Sequence, residues 1–270
     1  MLRLSPDIFR TVVGASFGTT LSAGLFTDHC WLEGKKIAIN LTCPLASNTG
    51  KHSTDLLASL SVMLGEQKQN IRKNGNLSLT VTDNIAEVLA LPWQDNLRSP
   101  SELHNYAQIY FEKQGVVIND NWVVHTEFKR YREMGLAYAL PRTWVQALAE
   151  LVESKGMQLK TVLPISAAAY CNVNATKKTA PTLLLLTEET RTTGMVFGDA
   201  GLLTYDVEAV AGAEHDSCKR LLLRASANHD NIARIVDWTS TKSEEKRSSS
   251  MASALFPKAE IVALPFNVWR

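Results

Sequence analysis

A few short segments contain residue types that could do chemistry. Ser47–Ser53, "SNTGKHS", has the lysine and glycine of a phosphate-binding loop at Gly50 and Lys51. Such a loop needs an earlier glycine and a hydroxyl after the lysine, so that backbone N–H groups and a side-chain oxygen face phosphate and magnesium. Leu45 and His52 occupy those two positions, and the segment reads as a turn with Ser53 opening a helix. Asp199-Ala200-Gly201 pairs an acid with a glycine, as a magnesium–phosphate turn would, but a β-turn asks for the same residues. Gly14 and Gly18, with Ser16, Thr19 and Thr20, could line a phosphate loop, yet no acid among them would hold magnesium. Asp28-His29-Cys30 has the side chains of a thiol centre, but adjacent residues rarely orient one another that way. His215 and Cys218 have a metal-ligand spacing with no second pair nearby to complete a zinc site. The six histidines are scattered, and no G-x-S-x-G, H-E-x-x-H or G-x-G-x-x-G occurs. This reading assigns no catalytic, cofactor-binding or metal-ligating residue and no cofactor.

The chain around these segments has 270 residues, enough for one large domain or two ordinary ones. Lys and Arg total 28 against 27 for Asp and Glu, which gives no broad positive field for nucleic acid. Cys30, Cys43, Cys171 and Cys218 read as free thiols of a reducing compartment; a Cys30–Cys43 bridge would require export. "MLRLSPDIFRTVVGASFGTTLSAGLF" is too interrupted for a signal peptide and reads as two short strands. No stretch approaches the roughly 18 apolar residues of a membrane span. The expectation is a soluble, intracellular α/β protein that works by binding.

Strands are expected over 8–27 and 35–41, and a helix from Ser53 with Leu56, Leu57, Leu60, Met63 and Leu64 on one face. "NGN" at 74–76 reads as a turn. "LSLTV" (77–81) and "IAEVLALPW" (85–93) read as a β-hairpin turning at Asp83–Asn84. Ser99, Pro100 and Glu102 form a capping-box signature, and Gly115 ends that helix. "VVI" (116–118) and "NWVVHTEF" are expected strands. Pro141 opens a helix with Val145, Leu148, Ala149 and Val152 inward, ended by Gly156. "MQLKTVL" is a strand closed by Pro164, and "ISAAAYC" a small-residue helix. After a polar linker at 172–181, "TLLLLTE", "RTTGMVFG" and "LLTYDVEAV" read as an antiparallel meander. A helix over 211–227, the strands "NIARIVDW" and "AEIVALPFNVW", and a polar loop at 239–250 complete the chain. "VLALPW" (88–93) and "IVALPF" (261–266) hint at internal duplication. The tryptophans read first as core; Trp93 and Trp269, which follow strand-ending prolines, are candidate docking aromatics.

"LSLTVTDNIAEVLALPWQDNLRSPSELHNYAQIYFEKQGV" and "LAYALPRTWVQALAELVESKGMQLKTVLP" resemble the cytoplasmic actin-like domain of pilus and type II secretion assembly-platform proteins of the GspL, PilM and MshI kind. The likeness covers about 77–210. It implies a two-lobed actin-like, RNase H-like α/β (α+β) fold with mixed sheets, the first lobe at 1–171 and the second at 182–270. Nucleotide-competent relatives place Asp-x-Gly after the first strand of the second lobe. Here that region is Thr187-Glu188-Glu189, which implies a degenerate member. Relatives of the GspL and MshI kind continue into a membrane span, whereas this chain reaches Arg270 without one, so it would be PilM-like or truncated.

The resemblance therefore implies a non-catalytic cytoplasmic scaffold, a pseudo-ATPase peripheral to the inner membrane. Its partners would be inner-membrane pilus or secretion assembly proteins, with no nucleic acid and no direct membrane insertion; a homodimer is compatible with this. The alternative is an ATP-binding actin-like ATPase or small-molecule kinase-like enzyme, which needs an open cleft with an exposed acid near a glycine turn. A third reading, RNase H-like nucleic-acid chemistry, needs several carboxylates on a central strand.

Overall fold

The computed structural model describes residues 20–27, 29–34, 37–42, 52–66, 75–97, 99–173, 181–210, 214–229, 231–240, 251–265 and 268. In chain order the elements are β1 (Thr20–Leu25), β2 (His29–Gly34), β3 (Ile37–Thr42), α1 (His52–Glu66), β4 (Gly75–Val81), β5 (Glu87–Leu91), α2 (Pro100–Lys113), β6 (Trp122–Glu127) and β7 (Gly135–Pro141). Then come α3 (Arg142–Ser154), β8 (Met157–Pro164), α4 (Ile165–Asn172), β9 (Thr182–Thr187), β10 (Arg191–Gly198), β11 (Gly201–Ala209), α5 (Glu214–Asn228), β12 (Arg234–Thr239) and β13 (Glu260–Ala263).

These strands form three sheets, and the two larger ones repeat a single plan. One has the order β3-β2-β1-β4-β8, the other β11-β10-β9-β12-β13. In each, a three-stranded antiparallel meander is extended by two strands parallel to its first strand. The third sheet, β5-β7-β6, is antiparallel and carries α2.

β9 shows how the sequence specifies its place. Its four successive leucines are buried on both faces, as in strands covered on either side. Leu184 and Leu186 join the main core with Met195, Phe197 and Trp238; Leu183 and Leu185 join a second cluster with Leu222 of α5. The main core runs on through Trp31, Leu79 and Leu148, so apolar packing is continuous between the two larger sheets. Phe26, beyond β1, tilts against Trp238 of β12 at 5.3 Å between ring centroids. Gly24 pairs with Trp31 across the β1–β2 ladder, and a Cβ there would lie 2.1 Å from the indole.

Most expected elements are present, including the capping box of α2, where Ser99 Oγ accepts from Glu102 N at 3.2 Å and Glu102 Oε2 accepts from Ser99 N at 3.0 Å. Gly115 and Gly156 end their helices at positive φ. The hairpin expected over 77–93 does not form. β4 lies between β1 and β8, whereas β5 pairs with β7 in the other sheet, and Asp83–Ile85 is a 3₁₀ turn between them. Parallel partners from distant sequence outbid the local turn. Three smaller readings also change. Gly75 and Asn76 belong to β4, 116–118 is not strand, and Ala149 is exposed. The phrases at 88–93 and 261–266 fall on β5 and β13, which are not equivalent, so the repetition lies in sheet order instead. Cys43, Gly14, Gly18 and residues 8–19 lie outside the described residues, as do 174–180 and 241–250 of the polar segments.

Candidate functional site

In open α/β sheets, ligands sit beyond the carboxyl ends of parallel strands, where loops diverge. Leu25, Val81 and Pro164 mark those ends in one large sheet, paired in register across β1, β4 and β8. Thr187 and Thr239 mark them in the other. A polar cluster, buried at Asp83, Ser166 and Glu188 and reaching the surface at Thr190, joins the two sets of ends. Its members are Asp83 after β4, Ser166 at the start of α4, Glu188 and Thr190 in the β9–β10 turn, Arg191 opening β10, and Tyr205 on β11.

Asp83 is fully buried and organises the cluster. One of its carboxylate oxygens accepts from Ser166 N at 3.2 Å and the other from Ser166 Oγ. The amino end of α4 thereby receives a negative partner, which the helix dipole favours. The backbone of Asp83 faces the other sheet: its N–H donates to Glu188 Oε2 at 3.2 Å, and its carbonyl accepts from Arg191 Nη1 at 3.2 Å. Thr190 Oγ1 donates to Asn84 Oδ1, adding a third tie between the 82–84 segment and the other sheet. Thr82 N–H donates to Leu25 O at 2.9 Å, holding that segment against the end of β1.

The charges in this enclosure are unbalanced. Two carboxyl groups, 0% and 3% exposed, share one guanidinium. Burial, and then the neighbouring charge of Asp83, push Glu188 up to about 8. Burial also raises Asp83, against the opposing pull of Arg191 and the Ser166 hydrogen bonds. Asp83 accepts from Ser166 N and Oγ, and Glu188 accepts from Asp83 N beside the Thr82 hydroxyl; pushed up to about 8, Glu188 keeps its proton at neutral pH. Glu188 Oε1, Arg191 Nε, Asn84 Nδ2 and Tyr205 OH are buried without a hydrogen-bond partner within the protein. Among the described residues, no group of three or more His, Cys, Asp or Glu could hold a metal ion. Asp83 and Glu188 come from different sheets and do not make the carboxylate set of a nucleic-acid-cleaving strand.

The segments singled out from the sequence lie elsewhere. Asp199-Ala200-Gly201 is the β10–β11 hairpin turn, with Gly201 at φ 95 and the Glu133 carboxyl packed where a Cβ would stand. Asp28 and 43–51 lie outside the described residues; His29 and Cys30 are in β2, and Cys30 is buried. Trp144 and Trp238 are core, Trp93 and Trp122 half-buried, and Trp269 outside the described residues. Trp93 packs edge-on to Phe128 and to the exposed Tyr131. The sequence reading put Asp83 in a turn and Glu188 at the end of a strand, beside the glycine-less Thr187-Glu188-Glu189 region, and gave neither a role. One signal was available: β4 and β9 each run out of apolar residues into a threonine and an acid, Thr82-Asp83 and Thr187-Glu188.

A second feature is a groove of about 350 Å³ between two sheet edges. Among the described residues, β5 is an edge strand of the small sheet and β11 an edge strand of a large one. Val88, Ala90, Phe111, Val116, Tyr205 and Val207 provide much of its lining, and Glu87 is its one ionisable carboxylate.

No protein-family model and no curated protein matches the sequence. Solved structures match by shape. A structure of a PilM–PilN type IV pilus biogenesis complex aligns at a TM-score of 0.60, over 91% of this chain and 88% of that one, with 10% identity. A Bacteroides thetaiotaomicron VPI-5482 protein with actin-like ATPase fold and unknown function aligns at 0.57, over 92% and 91%, again with 10% identity. At this identity the likeness is one of fold, and the chain's mixed α/β architecture is of the actin-like ATPase type. No described helix is long and apolar enough to cross a membrane.

Proposed function

We propose that this protein is a non-catalytic scaffold of a pilus-like or type II secretion assembly platform. In this reading it is a PilM-like, degenerate member of the actin-like group, cytoplasmic and held at the inner membrane through its partners. The carrying observation is the composition of the inter-sheet centre. Where an α/β protein would bind phosphate, this chain buries Asp83 and Glu188, and Asp83 already takes the donors of Ser166 and Arg191 that a phosphate would need. The β9–β10 turn, Glu188-Glu189-Thr190, has no glycine to let backbone N–H groups approach a ligand. The two-lobed division, 1–171 and 182–270, is supported by the repeated sheet order and by the lack, among the described residues, of strand pairing between the two large sheets.

The partner segment has a suitable seat in the groove between β5 and β11. Open edges carry unpaired backbone donors and acceptors, which an extended chain can pair with. The lining calls for alternating apolar side chains, and Glu87 calls for one basic residue. We assign this seat to an extended cytoplasmic segment of a single-span assembly protein.

Two measurements test the proposal. Thermal unfolding with 1 mM magnesium-ATP should show no shift; a site with a Kd of about 10 μM would add roughly 2.7 kcal/mol of stability, several degrees for a chain of this size. Such a shift would restore the ATPase or kinase-like alternative. A tagged pull-down from gently solubilised native membranes should recover a pilin-like or single-span assembly protein, and recovery of background alone would undercut the scaffold.

A further inference from the structure

The cluster at Asp83 is built unlike a sealed core. It places two carboxyls and one guanidinium in an enclosure and leaves four buried polar atoms unpaired. Its hydrogen bonds also span the gap between the β9–β10 turn and the 82–85 segment, which belong to different sheets. We infer that Glu188 is a proton-operated latch: with its proton the β9–β10 turn stays tied to Asp83 and Asn84, and losing it favours separation of the two turns.

The charges in the enclosure set which state is favoured. With both acids ionised the enclosure holds two negative charges and one positive; with one proton retained it is neutral. The groups facing Glu188 are Asp83, Arg191, Tyr205 and the Thr82 hydroxyl, while Tyr205 and Glu87 face Arg191. Glu87 adds a further negative charge, and neutral Tyr205 adds none near pH 7, so the facing groups supply no cation besides Arg191. Arg191 is already committed to the Asp83 carbonyl. Separating the turns lets water reach Glu188 and stabilise its charge, so opening is coupled to release of one proton. The remaining apolar contacts, Phe26 on Trp238 among them, keep the sheets associated when the latch opens. The device does not depend on the scaffold reading, and it would link any partner favouring the open arrangement to pH.

Amide hydrogen exchange on the intact chain tests this across pH 6–9, corrected for the intrinsic tenfold rise per pH unit. The amides to follow are those of Asp83, Asn84 and Ser166 and of 188–191. Coupled proton release predicts a fall in protection of roughly tenfold per pH unit up to about 8, then a plateau. These amides should exchange faster than those of Leu184–Leu186, with a small urea dependence that marks local opening. E188Q should flatten the pH dependence. Corrected protection that is constant with pH would overturn the latch, as would cluster amides that exchange only with the protection and urea dependence of β9. Should E188Q fold poorly, the wild-type series decides alone.

Discussion

Replacing Glu188 with Gln should stabilise the protein at neutral pH, although it removes a buried side chain that accepts a hydrogen bond. The folded carboxyl sits at about 8 against an ordinary value of 4.5. A raised folded value means its stabilising contribution is complete below 4.5 and is lost as pH rises to about 8. Across that window the native state forfeits about 1.4 kcal/mol per pH unit, roughly 3 kcal/mol by pH 7 and about 5 kcal/mol in all. Gln needs no proton, and its Oε1 can still accept from Asp83 N. Urea unfolding of both proteins at pH 4.5, 6, 7 and 8.5 gives the difference directly, because groups not coupled to Glu188 cancel. E188Q should match the wild type near pH 4.5, exceed it by about 3 kcal/mol at pH 7 and level off above 8. A difference that does not change with pH would refute the reasoning, since a packing or hydrogen-bond effect carries no such slope.

Three further substitutions probe separate parts of the argument. Ser99→Ala removes the side-chain acceptor of the α2 capping box and should cost about 1 kcal/mol in urea unfolding, without pH dependence. Gly24→Ala drives a methyl into the Trp31 indole; overpacking of this kind costs about 1–3 kcal/mol, and near-ultraviolet circular dichroism should report the displaced ring. Val207→Asp puts a charge on a residue 38% exposed in the β5–β11 groove, so melting should hardly move while partner recovery from membranes falls at least tenfold.

What the sequence made legible was local. The capping box at Ser99, the closures at Gly115 and Gly156, the meander over 182–209 and the inward face of α5 all follow from residues a few positions apart. The hairpin misread over 77–93 shows where that logic stops. "LSLTV" and "VLALPW" have good strand character, and Asp83–Asn84 suits a turn, yet the partner of β4 is β1, more than fifty residues away. Strand pairing is decided by which distant edge is free and apolar, which periodicity does not encode. The cluster was hidden for the same reason. Asp83, Ser166, Glu188 and Arg191 span more than a hundred residues of sequence, and each alone resembles a turn or cap. The matching Thr-acid endings of β4 and β9 were the visible trace, but they point to no function until the two strand ends converge.

The energetics argue that this centre is not simply a nucleotide cleft filled for strength. A fold that needed only to close the gap would do as well or better with apolar side chains, because buried ionic groups seldom repay their desolvation. Trp238, Phe197 and Leu186 already supply apolar packing near this junction. The chain instead retains an acid whose proton costs about 3 kcal/mol at pH 7, beside a second acid and a single arginine. That cost falls on the ties between the two large sheets. A site that weakens the joint between two sheets, and weakens it more as pH rises, is suited to setting how tightly those sheets hold together. In a protein proposed to act by holding a partner segment between sheet edges, that joint lies close to the seat: Tyr205 lines the groove and also faces the Asp83 cluster. Occupancy of the groove and protonation of Glu188 should therefore influence each other, and partner affinity measured across pH 6–9 should change in the wild type and stay level in E188Q.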